Sequence, residues 1–143
     1  METKRRTYVT YILPSVLYAT ETITWNQSLL LKLQTFENHI MRWMCNIKLN
    51  DRVRIQRLRS LTKLPSIIKT VKVRKLKYFG HLKRSRNPVK HVFEGMVEGA
   101  RRRGRPQRRW REDIFDWTNL TMQQINVAVN DRQLWRTICH DPS

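Results

Sequence analysis

The sequence contains few of the residues that mark several well-known protein classes. Its 143 residues include two cysteines, Cys45 and Cys139, which lie far apart in the chain. A disulfide framework or a zinc site needs more cysteines, or cysteines at close spacing. We therefore expect reduced thiols and an intracellular protein, nuclear or cytoplasmic. Four glycines and five prolines are too few for a collagen-like or linker-like chain.

Long apolar runs are also missing. No segment approaches the roughly 18 consecutive apolar residues that a membrane span requires, so we expect none. The N-terminus imitates a signal peptide, with Lys4 to Arg6 as its charged part and residues 8–19 as its apolar part. Pro14 in the middle of that segment, and Leu17 near the would-be cleavage site, argue against this interpretation.

Acidic residues are scarce as well. Eleven Asp and Glu residues stand against 29 Lys and Arg residues, which gives a formal net charge of +18. The excess is concentrated in residues 49–93, which hold fourteen basic residues and one acidic residue. Residues 112–143 hold two basic and five acidic residues. A field of this size attracts polyanions. We expect nucleic acid, RNA or DNA, as the partner, and a solvated basic face with no partner is the alternative.

The sequence shows no recognisable constellation of catalytic residues. It has no glycine-rich phosphate loop, no nucleophile elbow and no histidine pair at metal-binding spacing. Its one acidic cluster is Glu112, Asp113 and Asp116. These acids lie at the start of a predicted helix, where they favour the positive end of the helix dipole, and we prefer that role to two-metal chemistry. We expect no enzymatic activity, no metal and no cofactor.

Apolar residues recur at helical spacing along most of the chain, and no segment alternates as a strand does. The pattern predicts an all-α fold, a small irregular bundle with a basic Gly/Arg-rich loop before two C-terminal helices. We divide it into a helical region 7–93, a basic linker 94–105 and a C-terminal helical pair 106–140. The predicted helices cover residues 8–19 with a break at Pro14, 24–47 and 51–61, the segment from Pro65 to Arg84, the segment after Pro106, and 121–138.

Three details of these helices are specific predictions. Thr24 and Thr121 each begin a capping-box pattern. In the long helix the side expected to be buried consists of Leu29, Leu33, Phe36, Ile40, Trp43 or Met44, and Ile47. In the helix that ends at Arg84, Lys72 and Lys75 fall within or beside the apolar stripe, so each must reach solvent along its stem or meet an anion.

The densest basic segment is residues 101–111, with seven arginines in eleven residues. Arginine forks bind phosphate oxygens in bidentate fashion and stack on bases. Arg103 to Pro106 also matches the core of an AT-hook, which enters a narrow minor groove. Trp110 has helical spacing with Ile114 and Trp117, which favours a packing role. The candidate nucleic-acid-binding residues are Lys72, Arg74, Lys75, Lys77, Lys83, Arg84, Arg86, Arg101, Arg102, Arg103, Arg105, Arg108, Arg109 and Arg111.

Five blocks of the sequence form a further pattern. They are Leu13 to Thr22 with Trp25; Leu33 to Met44; Arg74 to Arg84; Arg103 to Pro106 with Trp110 and Asp113; and Asp131-Arg132 with Trp135-Arg136. These blocks resemble, in the same order, the C-terminal part of non-LTR (LINE-type) retrotransposon endonuclease–reverse transcriptases. The third block matches an arginine-tryptophan-phenylalanine-glycine-histidine motif with Tyr78 in place of the tryptophan, and the fourth a glycine-arginine-proline-tryptophan motif. Ala19 and Asn46 depart from the family pattern, because the family commonly has glycine at both places.

The resemblance implies the thumb and the basic extension that follow the polymerase palm in that family. The family's tyrosine-alanine-aspartate-aspartate turn does not occur in this sequence, and neither does its endonuclease domain. By resemblance the chain is then a nucleic-acid-binding C-terminal remnant of an RNA-directed DNA polymerase. A free-standing AT-hook-like module and a helical scaffold are the alternatives. Helix faces that normally meet the palm would favour self-association.

Overall fold

The computed structural model describes residues 1–85, 104 and 108–140, and this part of the chain is helical without any strand. The all-α prediction is therefore confirmed. Apolar residues at helical spacing, with few glycines to interrupt them, are the reason. The helices are α1 Glu2–Thr7, α2 Leu13–Val16, α3 Gln27–Cys45, α4 Ile55–Thr62, α5 Ile67–Arg84, α6 Glu112–Thr118, α7 Met122–Asn130 and α8 Arg132–His140.

The chain forms two compact units. The first unit consists of Met1–Thr20 and Trp25–Val71, and the second of Glu21–Thr24 and Lys72–Ser143. Helix α5 contributes to both, since the division falls after its first five residues. The predicted linker 94–105 lies outside the described residues except for Gly104, so that prediction stays open. No helix in the described residues is long and apolar enough to cross a membrane.

The N-terminal helical stretch changes its winding before Pro14. A π-helical segment, Tyr8–Ile12, separates α1 from α2, and Pro14 occupies the first turn of α2. A proline ring collides with the carbonyl four residues earlier in an ordinary helix, and a wider π turn relieves that collision. The predicted interruption at Pro14 is thus a local change of helix type.

Helix α3 differs from its prediction in both its start and its register. Asn26 caps it by accepting a hydrogen bond from the Leu29 amide at 2.8 Å, so the predicted cap at Thr24 is wrong. The buried positions are Glu37, Met41 and Met44. Trp43 was predicted as an alternative core residue and is 68% exposed.

The exposed indole of Trp43 has its own partner. The Lys4 ammonium lies 5.6 Å from the centre of the Trp43 ring and donates to the Met44 carbonyl at 3.3 Å. Phe36 and Ile40 are half-buried. The buried stripe of α3 is therefore centred one residue away from the predicted one.

Helix α4 buries less than the pattern predicts. Leu58 is fully buried, but Leu61 is 51% exposed. Asp51 does not cap α4; its carboxylate accepts from the Lys48 amide at 2.7 Å and closes a 3-10 turn, Leu49–Asp51. The cap position of α4 is Arg54, with no side-chain cap bond.

The core of the second unit is built from four helices and several aromatic rings. The predicted last helix is two helices, because Asp131 leaves the helical conformation and caps α8 through Gln133 and Leu134. The capping box at Thr121 is confirmed. Ile125, Val129 and Trp135 are buried as predicted, and Ile138 is half-buried.

Gly80 in α5 has a packing reason. A Cβ atom at this position would overlap the indole ring of Trp135. The indole N–H of Trp135 donates to the Leu76 carbonyl at 3.1 Å, one turn before Gly80. A glycine late in this helix therefore lets α8 approach the α5 backbone closely.

Candidate nucleic-acid interface

One face of α5 carries an exposed basic stripe. Arg74, Lys77, His81 and Arg84 are all exposed and follow each other at steps of three, four and three residues. Residues at such steps lie on one side of a helix, and the stripe extends about 15 Å along the axis. This geometry suits contacts to successive phosphates of one strand. The sequence-based candidates include Arg74, Lys77 and Arg84 but not His81, although its spacing places it on the same side of the helix.

Lys75 does not belong to that surface. Its side chain is fully buried, and its ammonium forms an ion pair with Asp113 and donates to the Ile23 carbonyl at 2.7 Å. The rings of Trp110 and Trp117 cover it, with centres 4.6 and 5.6 Å from the ammonium nitrogen. The prediction that Lys75 contacts phosphate is wrong for this structure, because the ammonium has no exposed surface.

The sequence predicts that Lys75 must reach solvent or meet an anion. The ion pair with Asp113 fulfils the second of these alternatives. Burial lowers the pKa of Lys75, the Asp113 carboxylate opposes this shift, and the charge of Arg108 adds to it. Two aromatic faces and a carboxylate are the groups that stabilise a cation away from water. We name this arrangement of Lys75, Asp113, Trp110 and Trp117 the lysine cage.

Arg108 extends the lysine cage towards solvent. Its guanidinium donates twice to the second Asp113 oxygen, at 3.0 and 2.8 Å, and once to Asp116 at 2.5 Å. The Asp116 hydrogen bond, followed by that of Asp113, raises the pKa of Arg108. Arg108 is thus held by two carboxylates. Asp113 and Asp116 have a pairing role in addition to their place near the start of α6, and no metal-binding group of three acids, histidines or cysteines occurs in the described part.

Two other candidate lysines are partly covered by rings. Lys72 is half-buried with its ammonium 5.7 Å from the centre of the Trp117 ring, and burial lowers its pKa. Lys83 is half-buried at 5.9 Å from the Phe79 ring centre. Both keep part of their surface in solvent, so both remain candidates. Their spacing from the four stripe residues places them on another side of α5.

The remaining candidates lie in or near the arginine-rich segment. Arg109 is exposed and Arg111 is half-buried. Gly104 has a φ of +128°, which residues with side chains rarely adopt, so this position needs its glycine. The candidates outside the described residues are Arg86, Arg101, Arg102, Arg103 and Arg105.

Residues from separate sequence blocks meet inside the second unit. The Trp110 indole N–H donates to the Glu21 carbonyl at 2.8 Å, and its ring packs edge-on against Tyr78 at 6.2 Å between centres. Phe79 lies between Trp110 and Trp135, with ring centres 6.2 and 5.8 Å away. The packing role predicted for Trp110 agrees with this position. These contacts join the sequence blocks inside the second unit.

Comparison of the chain with family models, with curated proteins and with solved structures finds no match.

Proposed function

We propose that this chain binds nucleic acid through its phosphates, and that it corresponds to the region after the palm in non-LTR retrotransposon reverse transcriptases. The observation that carries the binding proposal is the exposed α5 stripe within a chain of net charge +18. Two acids, Glu37 and Asp113, are buried among the described residues and pair internally with cations. The chain has 29 Lys and Arg residues against eleven Asp and Glu residues, and a phosphate backbone is a suitable counterion for this excess of positive charge.

The contacts between sequence blocks support the resemblance. Gly80 makes room for Trp135, Lys75 pairs with Asp113, and Trp110 binds the Glu21 carbonyl. Each contact joins two blocks that were matched to the family separately. A set of motifs that packs into one small helical unit is what a shared structural region would produce.

Two departures from the family pattern give a second, independent support. Ala19 and Asn46 stand where the family commonly has glycine, and both have a φ of +54°. Asn46 ends α3 in the left-handed conformation. Such positions favour glycine for steric reasons, so the glycines of the family pattern fall on two left-handed turns of this chain.

On this proposal the chain positions nucleic acid and performs no polymerase or nuclease chemistry. We expect no template-dependent primer extension by the purified chain with Mg²⁺ or Mn²⁺. We also expect an intracellular location. Reproducible extension by protein free of contaminating polymerase would contradict this part of the proposal.

The binding test is a salt titration with a duplex of mixed sequence. Each neutralised phosphate contributes about −0.9 to the slope of log K against log salt, so six contacts predict a slope near −5. Replacing Arg74 and Lys77 with Ala should flatten the slope by about 2 units by the same relation. A wild-type chain that binds no nucleic acid at low salt would overturn the proposal and favour the scaffold alternative.

The same titration separates the contribution of the arginine-rich segment. Replacing Arg101, Arg102, Arg103 and Arg105 with Ala should weaken binding equally on AT-rich and GC-rich duplexes if these side chains contact phosphates only. A loss confined to AT-rich duplex would indicate minor-groove insertion and favour the AT-hook-like alternative.

A further inference from the structure

The last helix carries a basic row that the sequence analysis did not select. Arg132 and Arg136 are exposed and lie one turn apart on α8, and the exposed His140 follows one turn later. The buried side of the same helix is formed by Trp135 and Cys139. This helix therefore presents cations next to its buried face.

The packing of α8 on α5 fixes the direction of the two helices. Arg84, at the end of α5, donates to the Val129 carbonyl at 2.8 Å, three residues before α8 begins. Trp135, in the middle of α8, contacts Gly80 and Leu76, which lie earlier in α5. The two helices are thus antiparallel, with the end of α5 beside the start of α8.

Trp135 and Cys139 lie one turn apart on the buried side of α8. The contacts of Trp135 with Leu76 and Gly80 show that α5 packs along this side of α8. Arg136 precedes Cys139 by three residues, so the two are neighbours on the helix surface.

The start of α8 gives the same result from another contact. Arg132 follows Val129 by three residues, and the Val129 carbonyl is bound by Arg84. Asp131 is the acid at this point, and its carboxylate accepts from the amides of Gln133 and Leu134. The Asp131 carboxylate therefore balances the positive end of α8, and Arg136 lies beyond this first turn.

We propose that Arg132 and Arg136 form a second row of phosphate contacts beside Lys77 and Arg84, and that the two rows bind the two strands of a nucleic-acid duplex. This inference rests on the proposed function and assigns its substrate class. Packed helices have axes about 8–10 Å apart. Cations on two neighbouring helices can contact two separate backbones, whereas a single strand offers one backbone.

The experiment compares two double variants with equal charge loss. Arg132→Ala/Arg136→Ala removes the second row, and Arg6→Ala/Arg57→Ala removes two exposed arginines of the first unit. Binding to a duplex and to a single strand of the same length is measured across a salt series. Circular dichroism melting establishes that each variant is folded.

We expect the second-row variant to lose about 2 units of salt slope and more than about tenfold in duplex affinity at 0.1 M salt. The control variant should lose less than about threefold, and the wild-type chain should bind duplex more tightly than single strand. Equal losses of duplex affinity in both variants, with wild-type binding intact, would overturn the proposal that Arg132 and Arg136 contact phosphates. Equal wild-type affinity for single strand would overturn the duplex assignment. Absence of wild-type binding to either probe would instead overturn the proposed function.

Discussion

Among the residues that the structure describes, each unit buries one carboxylate, and the two units neutralise it in different ways. In the first unit, Glu37 accepts from the Ile67 amide at 2.9 Å and from Arg59 at 2.7 Å, and the Arg59 side chain is 36% exposed. In the second unit, Asp113 pairs with Lys75, whose side chain has no exposed surface, and with Arg108. Glu37 thus binds both the start of α5 and a partly exposed arginine, whereas Asp113 pairs with the buried ammonium of Lys75.

This difference predicts unequal costs for losing each acid. A buried ion loses its hydration and depends on its partner, whereas an exposed cation turns to water when the partner is removed. Lys75 has no route to solvent without opening the ring contacts of Trp110 and Trp117. The second unit should therefore be more sensitive to its carboxylate than the first.

The largest effect is expected for Asp113→Ala. It leaves Lys75 buried without its carboxylate, which typically costs about 3–5 kcal/mol. Urea unfolding monitored by tryptophan fluorescence measures the change. Asp116→Ala is the matched control, since it removes the other Arg108 partner from an exposed position and should cost less than about 1 kcal/mol.

A second variant keeps this test informative if Asp113→Ala does not fold. Lys75→Met/Asp113→Ala removes both charges, and replacement of a whole buried pair by apolar groups is often nearly neutral. The double variant should be more stable than Asp113→Ala alone. If the loss of stability in the double variant equalled the sum of the losses for Lys75→Met and Asp113→Ala, the unpaired Lys75 charge would contribute nothing to the cost of Asp113→Ala.

A smaller effect is expected for Glu37→Ala in the first unit. The Ile67 amide lies at the start of α5 and has no acceptor within the helix, so it would lose its acceptor in this variant. A buried N–H without an acceptor costs about 1–3 kcal/mol. Glu37→Gln keeps an acceptor oxygen for that amide and should recover part of the loss. If Glu37→Ala destabilised the chain as strongly as Asp113→Ala, the contrast between the units would be wrong.

The same contrast shows what the sequence could predict. Helical spacing located most helices, and Trp110 and Trp135 pack as their spacing indicated. The register of α3 was wrong because its apolar residues fit two adjacent stripes, and the correct one places a glutamate inside. A charged side chain enters a core only when a distant partner meets it, here Arg59 across 22 residues.

The candidate site shows a similar limit. The position of Lys75 in or beside an apolar stripe indicated that its ammonium must reach solvent or meet an anion. Asp113 lies 38 residues away in the sequence, and local spacing does not reveal that pairing. Arg132 and Arg136 were missed because residues 112–143 have a negative sum. Three acids of that segment lie in α6, so the sum concealed the basic row of α8.

The smallest effect is expected for Tyr8→Phe in the first unit. The Tyr8 hydroxyl is buried and has no hydrogen-bond partner among the described residues. Burial, with a further contribution from the Glu37 charge, raises the pKa of Tyr8 from its usual 10.0 to about 12. At neutral pH the change to Phe should leave stability equal or raise it by no more than about 1 kcal/mol, because an unsatisfied polar group is removed. Tyr11→Phe, at a position 69% exposed, should have no effect.

The pH dependence sharpens this last prediction. The unfolded chain ionises Tyr8 near pH 10 and the folded chain only near pH 12, so unfolding releases a proton between these values. The Tyr8 contribution to stability is therefore intact below pH 10 and is lost as the pH rises to about 12, by up to about 3 kcal/mol. The difference in unfolding free energy between wild type and Tyr8→Phe, followed from pH 9 to 12, separates this contribution from that of the lysines. A difference that stays constant over this range would mean that the Tyr8 hydroxyl ionises as readily in the folded chain as in the unfolded one, and that the first unit does not exclude water around Glu37.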